Sequence, residues 1–471
     1  MRGVGLSDED LFFAGVSGQA AAVADGSVSA RELVTRVLER IQAYDGRLNA
    51  FTVVLTEQAH SEAAERDAAP AGERGPLHGV PLAIKEEVDV AGTVTTHGGR
   101  GNLTPVVQDA EVVRRLRAAG AVIVGKTNMP ELGQWPFTES VAHGITRNPW
   151  DTAKSPGGSS GGTAAAVAAG LVAAGIGGDG GGSIRVPAAC CGLFGLKPQR
   201  GRVTMSPLVH GWWGLSTTGP LTRSVRDSAV LYDVIRGTLP VDRWGAQRPP
   251  LSFTAAVDAP FAPLRIGWST KPVTPGVRPD PTHVDAVRET AALLGSLGHH
   301  VEEADPGYPD PTAAFVPQFF AGVRTGVGSV EHPGSMERRT RETARLGAWV
   351  TPRVREWAIA RGDKVADKAN RVFERYDVLL TPTIAHRPPD VGVLDGLGTV
   401  RAALVAMPMV AYTALWNVTG NPAASVPTGF ASDGLPVAVQ LVGRPHDETT
   451  LLTLSAQLEA ARPWAQARPQ L

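Results

Sequence analysis

Apolar positions along the chain first follow a helical period and then break into short runs. Leu33, Val34, Val37, Leu38 and Ile41 fall on one face of a 3.6-residue repeat. Ser29 stands before them with Glu32 three residues later, the pattern of a capping box. The segment from Asp8 to about Ala68 is therefore predicted to be helical. Pro81-Leu82-Ala83-Ile84-Lys85 is a short apolar run and reads as a buried strand. A helix over Asp109–Ala119, stopped by Gly120, leads into the strand-like Ala121–Val124. The alternation returns with a strand at Leu264–Trp268, a helix at Val284–Leu297 and a strand at His299–Glu303. Leu379–Thr383 and Ala423–Pro427 read as strand ends, Val437–Val442 as the last strand and Thr449–Ala461 as a terminal helix. Helices alternating with apolar strands predict an α/β fold. The prolines between Asp227 and Gln318 read as surface connections around one sheet, and Glu337–Val372 as a charged, solvated helical stretch.

One stretch departs from this pattern. Gly157-Gly158-Ser159-Ser160-Gly161-Gly162 forms a glycine-serine turn, and the small residues Thr163–Ala174 predict a tightly packed helix. A second run, Gly177-Gly178-Asp179-Gly180-Gly181-Gly182, delivers Ser183. Glycine inside regular structure costs roughly 0.5–1 kcal/mol relative to alanine. Bare N–H groups beside a serine are what an oxyanion hole next to its nucleophile requires. Gly175 to Gly180 also fits G-x-G-x-x-G. That dinucleotide fingerprint follows a strand and needs an acidic residue about 20 positions on. An alanine-rich segment precedes it here, and no Asp or Glu lies between Asp179 and Asp227. Gly157 to Gly161 fits the G-x-S-x-G elbow, yet turn chemistry from Asn148 to Pro156 stands where a strand is needed. Lys85 supplies a third reading. An amine carried inward on a strand loses solvation as a cation and can serve a serine as general base. Taken alone, Lys85 reads more readily as a solvated charge at a strand end than as a base.

Composition narrows the field. The chain has 471 residues, 43% hydrophobic and 19% charged, as an ordinary globular protein has. Its 45 basic and 46 acidic residues leave a net charge of −1, which gives no electrostatic case for nucleic acid or an anionic membrane. No apolar run reaches the roughly 18 residues of a membrane span, and the first residues do not read as a signal peptide. The two cysteines, Cys190 and Cys191, are adjacent, and the 11 histidines show no ligand spacing. No metal, no cofactor and a cytoplasmic location are expected. Asp179 and Arg185 flank Ser183 and read as a structural pair. Of Trp135, Phe137, Trp212, Trp213, Phe319 and Trp416, a minority are expected to line a pocket.

The segments GPLHGVPLAIKEEVDVAG, GKTNMPELG, TRNPWDTAKSPGGSSGG, GGDGGGSIRVPAACCGLFGLKP and GLPVAVQLVGRPHDETTLL resemble the amidase signature family, in that family's order, from about Ser29 to Leu458. The resemblance implies a central mixed β-sheet covered by helices on both faces. It implies one domain over 1–471, with a helical segment at 1–68, the signature core at about 69–227, a peripheral α/β region at about 228–380 and a return to the core at 381–471. It also implies carboxamide hydrolysis by a Ser-cisSer-Lys triad. Ser183 would be the nucleophile, Ser159 the bridging serine after a cis peptide, and Lys85 the base. Gly180, Gly181 and Gly182 would supply oxyanion donors. Gly180 departs from the family, which usually has Thr or Ile there. The implied partner is a small amide, and a homodimer is left open. A glutaminase-type component of a tRNA-dependent amidotransferase is the alternative. Such components usually carry a tyrosine-rich later half, whereas Glu337–Val372 has no tyrosine, so a free-standing amidase is favoured.

Overall fold

Half of the predicted capping box forms, the Glu32 carboxylate pairing instead with Arg36. Ser29 Oγ accepts from Glu32 N at 3.1 Å, and the helix Ala30–Leu48 buries Leu33, Val34, Val37, Leu38 and Ile41. A cap of this kind contributes about 1 kcal/mol. The helix stops at Asn49, whose backbone is left-handed with φ 53°. Past it the chain does not stay helical as expected over Asp8–Ala68, because Phe51–Val54 pairs antiparallel with Val122–Thr127 as an edge strand. The computed structural model describes residues 7–260 and 262–471. The reading of the first six residues lies outside them.

The strands in chain order are β1 (Phe51–Val54), β2 (Pro81–Lys85), β3 (Val122–Thr127), β4 (Glu139–Ser140) and β5 (Gly144–Ile145). They continue as β6 (Ala174–Asp179), β7 (Phe194–Lys197), β8 (Thr217–Thr222) and β9 (Arg265–Trp268). The last four are β10 (His300–Glu303), β11 (Val378–Pro382), β12 (Ala423–Phe430) and β13 (Pro436–Gly443). Apart from the small β4–β5 hairpin, they form one eleven-stranded sheet, ordered β1-β3-β2-β6-β8-β7-β12-β13-β11-β9-β10. Parallel pairs (β3–β2, β2–β6, β11–β9, β9–β10) mix with antiparallel ones.

Alternation along the strands separates two cores. Ala83, Val122 and Val124 join Leu33, Val37 and the alanines of the helix Gly161–Ala168 on one face. Leu82, Ile84, Ile123 and Ile176 point to the other, against the helices Val225–Ile235, Pro281–Ser296 and Glu448–Ala461. Helices therefore cover both faces.

The glycine-rich stretch folds differently from its expectation. The helix predicted over Thr163–Ala174 ends at Ala168, where Gly170 (φ 67°) and the Leu171 N–H bond to Ala166 O turn the chain. Ala174 then opens β6, so the first half of the second glycine run, Gly177 to Asp179, lies in the middle of the sheet. The reason is close approach. A Cβ on Gly175 would stand 2.6 Å from Thr163 Cγ2, and one on Gly162 would stand 2.4 Å from Asn128 N and 2.5 Å from Ala50 O. Only bare backbone lets this helix lie so near the sheet.

Candidate active site

β2 ends on Lys85, whose side chain is buried, 1% exposed. Its Nζ lies 2.8 Å from Ser159 Oγ, which is also buried. The peptide joining Gly158 to Ser159 is cis. Ser159 and Ser160 sit just before the helix Gly161–Ala168. Ser160 Oγ is tied to the adjacent strand, donating to Gly178 O (3.2 Å) and accepting from Gly178 N (3.3 Å). Ser160 N donates to Ser183 O at 3.2 Å, linking the two glycine segments.

Ser183 lies on the turn between β6 and the helix Arg185–Cys191 and is partly exposed. Asp179 builds that turn. Its carboxylate accepts from Gly182 N (2.8 Å), Ile184 N (3.1 Å) and Asn417 Nδ2 (2.8 Å). It also takes a two-pronged bond from Arg185, Nε at 3.0 Å and Nη2 at 2.9 Å. Burial alone would raise the Asp179 carboxyl, but the Arg185 charge and these donors hold it well below the usual carboxylate range. The pairing read from the sequence is present, and both partners are fully buried. One expectation changes. The Gly182 amide is committed to Asp179, whereas the amides of Gly180 and Gly181 have no protein acceptor among the described residues.

Lys85, Ser159, Ser183 and Gly180 line one cavity of about 340 Å³. Its outer wall brings together Leu132, Met205, Leu208, Val209 and Trp212, with Gly322 and Gly326 from the helix Thr312–Ser329. Of the six aromatics weighed from the sequence, Trp212 alone reaches this lining; Trp135, Phe137 and Trp416 are buried in the core. His97 (φ 51°) also faces the cavity, and desolvation lowers its imidazole pKa below the ordinary value. Sequence reasoning missed Glu87, whose Oε1 lies 2.9 Å from Lys85 Nζ. The pair of glutamates after Lys85 was the available signal. Glu86 turns away, to Thr52, Thr96 and Lys126, while Glu87 faces the cavity.

The family model described as Amidase matches residues 32–452. The chain belongs to the amidase signature family. It is an amidase, an enzyme that hydrolyses carboxamide C–N bonds. "Putative amidase AmiB2" of Mycobacterium tuberculosis is 48% identical over 469 residues, 99% of this chain and 100% of that one. The 6-aminohexanoate-cyclic-dimer hydrolase of Paenarthrobacter ureafaciens is 35% identical, covering 96% of each. A solved structure of 6-aminohexanoate cyclic dimer hydrolase with substrate superposes at a TM-score of 0.92 and 34% identity, over 98% of this chain and 99% of that one. A glutamyl-tRNA(Gln) amidotransferase component from Thermotoga maritima superposes at 0.79 and 30% identity, over 96% of each chain. The amidotransferase alternative is thus the less supported reading for this amidase. Among the described residues, no helix is long and apolar enough to cross a membrane.

Proposed function

We propose that this amidase hydrolyses its substrate through an acyl-enzyme on Ser183, with Ser159 as proton relay and Lys85 as base. The observation that carries the assignment is the 2.8 Å approach of Lys85 Nζ to Ser159 Oγ, in the cavity that Ser183 also lines. Ser183 Oγ attacks the amide carbon while its proton passes to Ser159, whose own proton passes to Lys85. The oxygen that gains the electron pair is met by the amides of Gly180 and Gly181; losing one such donor typically costs about 10²–10³ in rate. The proton returns along the relay to the leaving amine or ammonia. Water, deprotonated by the same relay, then releases the acid.

The substrate class that fits is a small, uncharged carboxamide, linear or cyclic, with an apolar acyl side. The wall of Leu132, Met205, Leu208, Val209 and Trp212 supports it, as does similarity to a hydrolase named for a cyclic amide. The protein is proposed to work as a free-standing cytoplasmic enzyme, its 471 residues forming one domain.

The test joins covalent labelling to a substrate panel. A fluorophosphonate should label Ser183 in the wild type and fail to label Ser183→Ala. Ser159→Ala should lose several orders of magnitude in turnover yet still label slowly at Ser183. A label mapped to Ser159 in the wild type overturns the assignment. A panel of primary, anilide, peptide and cyclic amides should show the highest kcat/KM on an uncharged member.

A further inference from the structure

The carboxylate of Glu87 is built into the site with more care than a passing ion pair needs. Its Oε1 reaches Lys85 Nζ at 2.9 Å, on the side of an amine whose other neighbour is Ser159 Oγ at 2.8 Å. Two glycines make room for it. A Cβ on Gly178 would stand 2.3 Å from Glu87 Oε1, and one on Gly133 (φ 66°) would stand 3.4 Å from Glu87 Oε2 and 3.2 Å from Ser159 Oγ. Glycine in the interior of a strand weakens it, so Gly178 points to a close approach the site requires. Lys85 is 1% exposed and the Glu87 side chain 27%, so a charge formed on the amine meets this carboxylate before it meets water.

The geometry points to Glu87 as a positioning residue that acts through Lys85. It aims Nζ at Ser159 and supplies the countercharge for the ammonium that forms as Lys85 takes the relay's proton. In that step the Ser183 O–H bond breaks as its proton moves to Ser159. The Ser159 O–H bond breaks as an N–H bond forms on Lys85, and the negative charge appears on the substrate oxygen. Glu87 neither gains nor loses a proton. Its part matches that of the carboxylate behind the imidazole of a serine triad. Asp89 and His97 line the same cavity, and the His97 imidazole feels the Glu87 charge along with those of Asp89, Lys126 and Glu86. This inference rests on Lys85 being the base.

The test compares Glu87→Gln and Glu87→Asp with the wild type on the best amide of the panel, with melting temperature as a control. Glu87→Gln should lower kcat about 10²-fold with KM within about two-fold. Glu87→Asp should restore part of that loss. A rise in KM with kcat unchanged makes Glu87 a substrate contact and overturns the inference; so does no change at all. Should Glu87→Gln fail to fold, Gly178→Ala displaces the carboxylate without removing it. The same loss of kcat is expected there, and an unaltered kcat is refuting. Lys85→Ala separates the two readings. If it is inactive while Glu87→Gln is fully active, only this inference fails. If Lys85→Ala stays active, the assignment of the base fails first.

Discussion

Arg185→Met tests how the loop that carries Ser183 is held. In the wild type the guanidinium is fully buried and makes five hydrogen bonds: two to Asp179, and one each to Thr413 O (3.1 Å), Gln440 Oε1 (2.8 Å) and Asn417 Oδ1 (2.7 Å). Methionine fills a similar volume but leaves Asp179 charged in the interior, with its remaining amide donors as sole support. Removing one partner of a buried pair costs about 3–5 kcal/mol. Unfolding entropy near 2.1 cal/mol/K per residue makes 1 kcal/mol worth about 1 °C for a chain of this length, so the melting temperature should fall by about 3–5 °C at pH 7. The pH dependence adds a second check. The folded Asp179 carboxyl is depressed, so its stabilisation is complete above the ordinary carboxylate value of 3.8 and is lost as pH falls below it. Methionine removes the cause of that depression and leaves burial, which raises the carboxyl above 3.8 and lets the variant regain stability as pH falls toward 4. The gap between variant and wild type should therefore be widest near neutrality and narrow as pH drops toward 4. Scanning calorimetry or fluorescence melts from pH 4 to 8 read both. A loss under 1 °C, or a gap that widens on acidification, refutes the argument.

The remaining expectations are independent of that pair. Glu131 and Glu459 are pushed up to about 7, chiefly by desolvation, from an ordinary 4.5, so the native state binds more protons than the unfolded state between those values. Stability should fall as pH rises through that window, and Glu459→Gln should gain on the wild type by about 2–3 kcal/mol between pH 4.5 and 7.5, read as melting temperature. Gly162→Ala places a Cβ 2.4–2.6 Å from the backbones of Asn128 and Ala50, and a loss of about 3 kcal/mol should appear as early melting. Trp212→Ala removes the ring that covers Gly180 and meets Phe319 edge-on at 5.2 Å. KM should rise about ten-fold with a smaller change in kcat, as loss of 1–2 kcal/mol of apolar contact implies.

Much of the frame was legible. The run Pro81–Lys85 reads as a strand from five residues, and the structure begins and ends it there. The Asp179–Arg185 pair follows from two opposite charges in an otherwise apolar stretch. What escaped has a shared cause. β6 has the composition of a loop, because its glycines answer to the helix packed on them, a contact between segments that local propensity does not register. The same small residues hid the break at Gly170, which a C-cap reading of that glycine would have found. Glu87 was passed over because a carboxylate two residues beyond a strand ordinarily faces water. Its direction is set by room at Gly133 and Gly178, far along the chain. The Gly182 amide likewise looked free until Asp179 was seen to claim it.

The cavity has two owners along the chain. Its floor, from Lys85 through Ser159 to Ser183, is cross-tied by Ser160, Gly178 and Asp179, so a change there disturbs the proposed proton path and the sheet at once. Its roof comes from 204–216 and from the helix Thr312–Ser329, which add no strand of their own to β2 or β6. Substitutions in the roof are expected to alter which amide enters while leaving the proposed triad alone. A library confined to 205–213 and 319–329 is therefore the place to redirect this enzyme to a new acyl group, and variants drawn from it should keep their fluorophosphonate reactivity even when they lose the original substrate.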